Sequence, residues 1–286
     1  MPFLNDCLCS DAHGHQDVER GALVVLSDER GRPGIGEVQL HRIAIDLAQD
    51  VLEVVGVEAL IRWEHPEFGL VMPNEFIPIA EQAGKIKAIT QWVVSRVFQD
   101  LPTLKQTIGN HVLVSLNLSS HDLKDNHFID VVKNKLVKYN VDIANIQFEI
   151  TESSYLDNFE NSNEFFNQIK QMGGSIALDD FGTGYSSLSY LTKIDIDTIK
   201  IDRMFVNQFD SSEKDAAVLK AILDLSKRLG LKVCSEGIET ASQANYLIEN
   251  GSDEMQGYYF AKPVTIAHIP AAKAQAKEAF KALTLK

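Results

Sequence analysis

Ser175-Ile176-Ala177-Leu178-Asp179-Asp180-Phe181-Gly182-Thr183-Gly184-Tyr185-Ser186-Ser187 is the stretch whose reading decides the fold. Its first four residues form an apolar run behind Gly173 and Gly174, so they read as a short buried strand. Two adjacent carboxylates stand where that run ends, and a loop with glycines two apart follows. Buried carboxylates side by side repel one another unless protons or cations neutralise them. Hard divalent metals prefer such oxygen donors. The plain alternative is that Asp179 and Asp180 merely open a turn, as Asp-rich segments do.

The same arrangement recurs along the chain. Strands are expected at Val38–Leu47, Val51–Trp63, His111–Leu118, Ile146–Thr151, Thr198–Ile201, Lys232–Ser235 and Glu254–Phe260. Helical patterns lie between them. One opens at Pro73 and Asn74, a second covers Ile86–Phe98 and a third Phe128–Tyr139. Asn161 with Glu164 reads as a capping box for the next, which Gly173 and Gly174 stop. A short helix is expected near Ser187–Leu191. Lys214–Leu229 is amphipathic, with Ser211 or Ser212 as cap and Gly230 as stop. Thr240 with Gln243 caps a helix that Gly251 ends, and Ala267–Leu285 closes the chain.

Strands alternating with helices imply parallel βαβ units. Seven or eight of them suit a closed (β/α)8 barrel, whose active site lies at the C-terminal ends of its strands. Those ends carry Glu58, Asn117, Glu149, Asp179, Asp180, Lys200, Glu236 and Gln256. Unrelated turn residues would not place Glu149 and Lys200 inside otherwise apolar strands.

Composition bounds the rest. A chain of 286 residues with 45% hydrophobic and 23% charged content is ordinary globular material. Its 27 basic and 40 acidic residues give a net charge of −13, which argues against polymeric nucleic acid or an anionic membrane surface as the main partner. A small anionic ligand stays open, because bound metals reverse a local field. Cys7, Cys9 and Cys234 make no disulfide framework, and no apolar run has the length of a membrane span. No signal peptide is evident, so a cytoplasmic setting is expected. Residues 1–37 form a poorly defined N-terminal segment. There Cys7, Cys9, His13 and His15 match no standard zinc spacing, and a peripheral segment is the favoured reading. The barrel is expected over 38–286.

At this point the motifs resemble a known family. Val57-Glu58-Ala59-Leu60-Ile61-Arg62-Trp63 with His65-Pro66 is similar to the signature of EAL domains. So are Pro73-Asn74-Glu75-Phe76-Ile77-Pro78-Ile79-Ala80-Glu81, Asn117-Leu118-Ser119, Glu149-Ile150-Thr151-Glu152 and the Asp179 loop. Lys200-Ile201-Asp202, Glu236-Gly237-Ile238-Glu239 and Gln256-Gly257-Tyr258 complete the series, over about Leu40 to Val264. The resemblance implies an α/β, TIM-like barrel of the EAL type with a first strand that can run antiparallel. It also implies hydrolysis of the bacterial second messenger cyclic di-GMP to linear pGpG with two Mg²⁺ or Mn²⁺ ions, Ca²⁺ being inhibitory.

Carried over, Glu58, Asn117, Glu149 and Asp179 hold the first metal, Asp179 bridges, and Asp180 serves the second metal beside the substrate. Lys200 orients or polarises the attacking water. Glu236, with Glu239 behind it, holds metal-bound water, and Gln256 joins the same ligand network. Arg62 contacts a substrate phosphate through its guanidinium fork, Leu60 packs beside the nucleotide, and Glu152 fixes the Phe181–Ser187 loop over the metals. A surface salt bridge for Arg62, a core role for Leu60 and an exposed turn charge for Glu152 are the plain alternatives. A homodimer is expected.

One departure stands out. Family members usually carry Tyr-Gln-Pro on the first strand, where this chain has Leu40-His41-Arg42-Ile43-Ala44-Ile45-Asp46, with Arg42 for Gln and Ile43 for Pro. Nucleotide affinity and first-strand geometry are the properties this affects. Two competing readings follow: a cyclic di-GMP receptor without turnover, and, apart from the family, a barrel glycosidase using a carboxylate pair. Adjacent Asp179 and Asp180 with a neighbouring Asn suit a two-metal site better than an acid and nucleophile pair.

Overall fold

The apolar runs that recur along the sequence become the staves of one barrel. The computed structural model describes residues 38–46, 53–65, 67–183 and 188–284. Its strands are β1 (Val38–Asp46), β2 (Glu53–Ile61), β3 (Trp63–His65), β4 (Gly69–Val71) and β5 (Leu113–Leu118). They continue with β6 (Ile146–Thr151), β7 (Ser175–Phe181), β8 (Thr198–Ile201), β9 (Lys232–Ser235) and β10 (Glu254–Met255). Eight close in the order β1-β10-β9-β8-β7-β6-β5-β2, while β3 and β4 form a separate two-stranded sheet.

β2 and β5 to β10 run parallel to one another. β1 is antiparallel to both its neighbours, β2 and β10. An antiparallel pair needs no crossover helix, which is why the first two staves follow each other directly. The expected EAL-type barrel with an antiparallel first strand is therefore what the topology shows. The departures at Arg42 and Ile43 fall on β1, whose side chains lie outside the described residues, as does the whole 1–37 segment.

Strand alternation divides the core. Asn117, Glu149, Asp179 and Lys200 face the axis, so their sequence neighbours Leu116, Ile150, Leu178 and Ile199 face outward. Those four are buried in one apolar cluster with Phe98, Phe166, Ile169, Leu219 and Leu223 of the surrounding helices. This second layer is what fixes the inner carboxylates: a strand cannot rotate without exposing its outer row.

Several boundaries differ from the sequence-based expectation. The second helix continues to Thr107 through Pro102, because Leu101 and Leu104 on the same face are fully buried. The helix expected to be capped by Asn161 starts at Phe159 with Asn158 as N-cap. Asn161 and Glu164 therefore lie inside it. β7 runs on through Asp179 and Asp180 to Phe181 instead of ending before them. β10 keeps only two residues of the expected Glu254–Phe260, since Tyr259 N–H bonds the Ile238 carbonyl of a neighbouring loop, 2.9 Å. The terminal helix is Ile269–Thr284 behind a 3₁₀ turn at Ile266–His268. By contrast Phe128–Tyr139, Ile146–Thr151, Thr198–Ile201 and Lys232–Ser235 have the expected limits. Ser212 caps Glu213–Arg228, and the Thr240–Gln243 capping box is present.

Candidate functional site

Lys200 stands at the centre of the strand ends. Its Nζ lies 2.5 Å from Glu149 Oε2 and 2.8 Å from Glu236 Oε1, with Glu58 Oε2 and Asp179 Oδ1 each at 3.5 Å. Four strands thus deliver four carboxylates to one ammonium, and Lys200 is only 3% exposed. Asn117 Nδ2 donates to Glu58 Oε1 at 2.9 Å, and Gln256 Nε2 donates to Glu236 Oε1. Six of the expected rim residues therefore surround Lys200, directly or through one bond, and Asp180 lies next to Asp179.

The electrostatics follow from charge crowding without water. Burial acts most strongly on Glu149 and holds its carboxyl well above the usual range. Lys200 opposes this, and the neighbouring carboxylates reinforce it. Burial, with Glu236, Glu58 and Asp180, pushes Asp179 up to about 7 against the pull of Lys200. For Lys200 itself burial disfavours the charge, but Asp179, Glu149, Glu236 and Glu58 together outweigh it and keep the ammonium protonated. Asp179 Oδ1 has no hydrogen-bond partner although it is buried.

Local backbone geometry sets these positions. Between Leu178 and Phe181 β7 advances three residues while β8 advances two, from Ile199 to Ile201. The extra residue makes a bulge, a device that re-aims side chains beside active sites. Asp180 there adopts φ 53°, in the left-handed region that non-glycine residues enter at a cost. Two consecutive carboxylates would otherwise point to opposite faces of the sheet; the bulge keeps both at the mouth.

The glycines of the last two motifs have a steric reason. A Cβ on Gly257 would meet the Ile238 backbone at 2.2 Å, and one on Gly237, at φ 69°, would meet Arg203 Cβ at 2.2 Å. Ile238 N–H bonds Gln256 O at 3.2 Å across this contact. The Glu236 and Gln256 loops are thereby zipped together, which brings their side chains within hydrogen-bond reach. On the opposite wall the Ser119 N–H and hydroxyl donate to buried Asp122, at 2.9 and 2.7 Å. Thr90 Oγ1 donates to the same oxygen at 3.0 Å. This ties the turn after Asn117 to the Ile86–Thr107 helix.

Glu152 is buried, so the exposed turn charge is excluded. Its Oε2 accepts from Gly182 N–H at 3.1 Å, and its Oε1 from Tyr190 OH at 2.6 Å. It thus grips the loop that follows Asp180 on both sides. Arg62 is 4% exposed, which rules out a surface salt bridge; Nη1 donates to the Ile61 carbonyl at 2.9 Å. Burial lowers its pKa, and nearby Tyr258 and Glu58 work in the other direction. Leu60 is half-buried near the end of β2. Glu239 is exposed, and the hydrogen bond recorded for it runs from its backbone N–H to Gln243. Its side chain is not brought into the cluster by any described contact.

Sequence reasoning did not find Tyr190 or Tyr258. Tyr190 has no sequence signal, because its partner lies 38 residues away. Tyr258 stood inside a quoted motif and is exposed at the mouth, with Lys262 Nζ 5.9 Å from its ring centre.

Comparison with known proteins decides the family. The EAL domain model matches residues 48–263. The chain belongs to the EAL family. Its relatives include MucR of Pseudomonas aeruginosa, a bifunctional diguanylate cyclase/cyclic di-GMP phosphodiesterase. The two are 36% identical over 213 residues, 74% of this chain and 31% of MucR. The cyclic di-GMP phosphodiesterase PdeR of Escherichia coli is 37% identical over 212 residues, 74% of this chain and 32% of PdeR. The chain thus spans about a third of the length of these relatives. Among solved EAL structures, the PaMucR phosphodiesterase in its c-di-GMP complex superposes with TM-score 0.76 at 33% identity. That match covers 81% of this chain and 93% of the other. The EAL enzyme Bd1971, with cAMP and cyclic di-GMP bound, gives TM-score 0.77 at 31% identity, covering 83% and 64%.

Among the described residues, no three His, Cys, Asp or Glu side chains are arranged as a cage ready for a metal ion. The reason is visible in the geometry: the ammonium of Lys200 holds the centre that the carboxylates share. The donor set nevertheless fits hard divalent cations. Every candidate donor is an oxygen, the carboxylates are desolvated, and Asp179 offers a buried oxygen without a hydrogen bond. Among the described residues no helix is long and apolar enough to cross a membrane.

Proposed function

We propose that this EAL domain is a cation-dependent phosphodiesterase that hydrolyses cyclic di-GMP to linear pGpG. The observation that carries this reading is the set of Glu58, Asn117, Glu149, Asp179 and Glu236 around buried Lys200 at the strand ends, with Glu58, Glu149 and Glu236 themselves buried. Relatives named as cyclic di-GMP phosphodiesterases, and the PaMucR complex, support the choice of substrate.

Glu58, Asn117, Glu149 and Asp179 would hold a first cation, Mg²⁺ or Mn²⁺. Asp179 and Asp180 would hold a second. Bound there, such cations polarise a phosphodiester and lower the pKa of a water. The chain's own residues do the rest. Lys200 orients the water and offsets the negative charge that develops on the phosphoryl oxygens. Glu236, fixed by Gln256 Nε2, positions solvent on the other side of Lys200, and Gln256 borders the ligand. Arg62 binds a phosphate at the mouth, Leu60 packs beside a base, and Glu152 holds the Gly182 turn in register. Glu239 is assigned a supporting part behind Glu236. The domain acts as a homodimer in the cytoplasm, with the barrel at 38–286 and residues 1–37 outside it.

The test is product analysis of purified protein incubated with cyclic di-GMP and Mg²⁺ or Mn²⁺, beside Glu58→Ala and a Ca²⁺ control. Formation of pGpG, lost in both controls, is the expected result. Saturable nucleotide binding without product in either metal overturns it and leaves a receptor. Sedimentation that shows only monomer across the micromolar range overturns the dimer.

A further inference from the structure

Below the carboxylates the described residues leave the barrel axis unfilled. (β/α)8 interiors are usually filled by layers of bulky branched side chains. Here Gly56, Ser115 and Cys234 line the axis beneath the cluster, beside a cavity of about 240 Å³. The cavity reaches Glu58, Glu149 and Lys200 at its upper end. At its lower end it is bordered by Val55, His111, Leu113, Lys232 and Glu254, at or near the N-terminal ends of their strands. Lys232 is largely exposed and pairs with Glu254 at 3.7 Å, so among the described residues this end of the cavity borders solvent.

The wall is part polar where a packed core would be apolar throughout: Ser115, Gln147 and His111 stand among Val55, Val57 and Leu113. Ser115 Oγ donates to Gln147 Oε1 at 3.0 Å, and Gln147 Nε2 donates to Thr198 Oγ1 at 3.2 Å. Apolar cavities of this size stay dry, whereas polar ones hold water that bonds to their lining. A volume of 240 Å³ is far above the roughly 10–15 Å³ that a single water requires.

We propose that the barrel axis is a solvent shaft, open at the end opposite the nucleotide, through which water reaches the underside of the Lys200 cluster. A cyclic dinucleotide across the mouth obstructs exchange from above. The shaft keeps the cluster in contact with solvent while the mouth is covered, and so resupplies the water that each hydrolysis consumes. Only that use of the water rests on the hydrolytic reading; the passage itself does not.

Cys234 is the reporter. It lies on the shaft wall opposite Lys200 in the β8–β9 register. Burial pushes its thiol up, so reagents that need a thiolate are poor probes. Methylmercury is suitable: the S–H bond is exchanged for S–Hg and the proton passes to buffer. Cys7→Ser/Cys9→Ser protein is treated with methylmercury or the bulkier p-hydroxymercuribenzoate, with and without saturating cyclic di-GMP and Ca²⁺, and read by intact mass. The expected result is one methylmercury adduct, forming at least tenfold faster than the bulky adduct and unaffected by nucleotide. Protection by nucleotide, or equal slow rates for both reagents, overturns the shaft.

In a second arm Ser115→Leu and Cys234→Leu fill the shaft from opposite walls. Each is expected to lower kcat at least tenfold while nucleotide Kd and cation affinity stay within twofold. An unchanged kcat in a folded variant overturns the resupply role. Should the protein prove a receptor, the labelling arm still decides the passage.

Discussion

The two sides of this barrel are built differently. From β5 to β8 the staves all run parallel, with one register shift at the Leu178–Phe181 bulge, and they carry Asn117, Glu149, Asp179 and Lys200. The opposite side closes through a seam. β10 has two residues, pairs with β1 at two positions and meets it antiparallel. β1 against β2 also carries register shifts, between His41 and Ile43 and between Ala44 and Ile45. The wall that bears these four residues is thus parallel throughout, while the seam is formed by the antiparallel β1, on which Arg42 and Ile43 fall.

The sharpest way to break this comparison is to remove the centre of the parallel wall. Lys200→Met leaves Glu58, Glu149, Asp179 and Glu236 without their counter-charge. Truncating one partner of a buried ion pair costs about 3–5 kcal/mol. Chemical denaturation is expected to show a loss of that order, with hydrolysis abolished and Mn²⁺ restoring part of the stability. A variant with wild-type stability in EDTA would mean that the cluster is neutral without the lysine.

Asp180→Gly separates strain from function. Glycine accepts φ 53° freely, so the folded state is expected to gain about 1 kcal/mol. Product formation should fall at least tenfold. A gain in both stability and activity would remove Asp180 from the site.

Cation removal gives a pH signature. Burial raises Asp179 to about 7 and Glu149 also upward, relative to an unfolded carboxyl near 4. A raised folded pKa contributes stability that is complete below the unfolded value and is lost as pH rises through the folded one. EDTA-treated protein should therefore melt higher at pH 5.5 than at pH 8, and saturating Mn²⁺ should narrow the difference. Thermal melts in which EDTA protein is instead more stable at pH 8 would contradict the crowding of these carboxylates.

The smallest effect is expected at the seam. Arg42→Gln is predicted to tighten cyclic di-GMP binding less than tenfold, with kcat unchanged, in a calorimetric titration beside steady-state kinetics. A larger change in kcat than in affinity would tie β1 to the chemistry.

How legible this was in the sequence divides along the same line. Glu149 and Lys200 were readable because a charge inside Ile146–Thr151 or Thr198–Ile201 breaks an apolar pattern and must have partners. The barrel followed from strand and helix alternation. The bulge was not readable, because a left-handed Asp180 follows from the pairing of β7 with β8 and not from residue type. Helix continuation through Pro102 depended on burial of Leu101 and Leu104, and the shortening of β10 on a bond from Tyr259 to a distant loop. The tie between Glu152 and Tyr190 spans 38 residues and leaves no local trace. Hollow interiors are equally silent: Gly56, Ser115 and Cys234 look unremarkable until the closure of the sheet sets them on one axis.

Lys200 also has a meaning for assembly. In small zinc domains the metal is the reason the chain folds, so loading and folding are one event. Here the polypeptide supplies its own counter-ion at the point of greatest negative charge, in a chain of net charge −13. A cation held by Glu58, Glu149 and Asp179 would have to compete with that ammonium for the same oxygens.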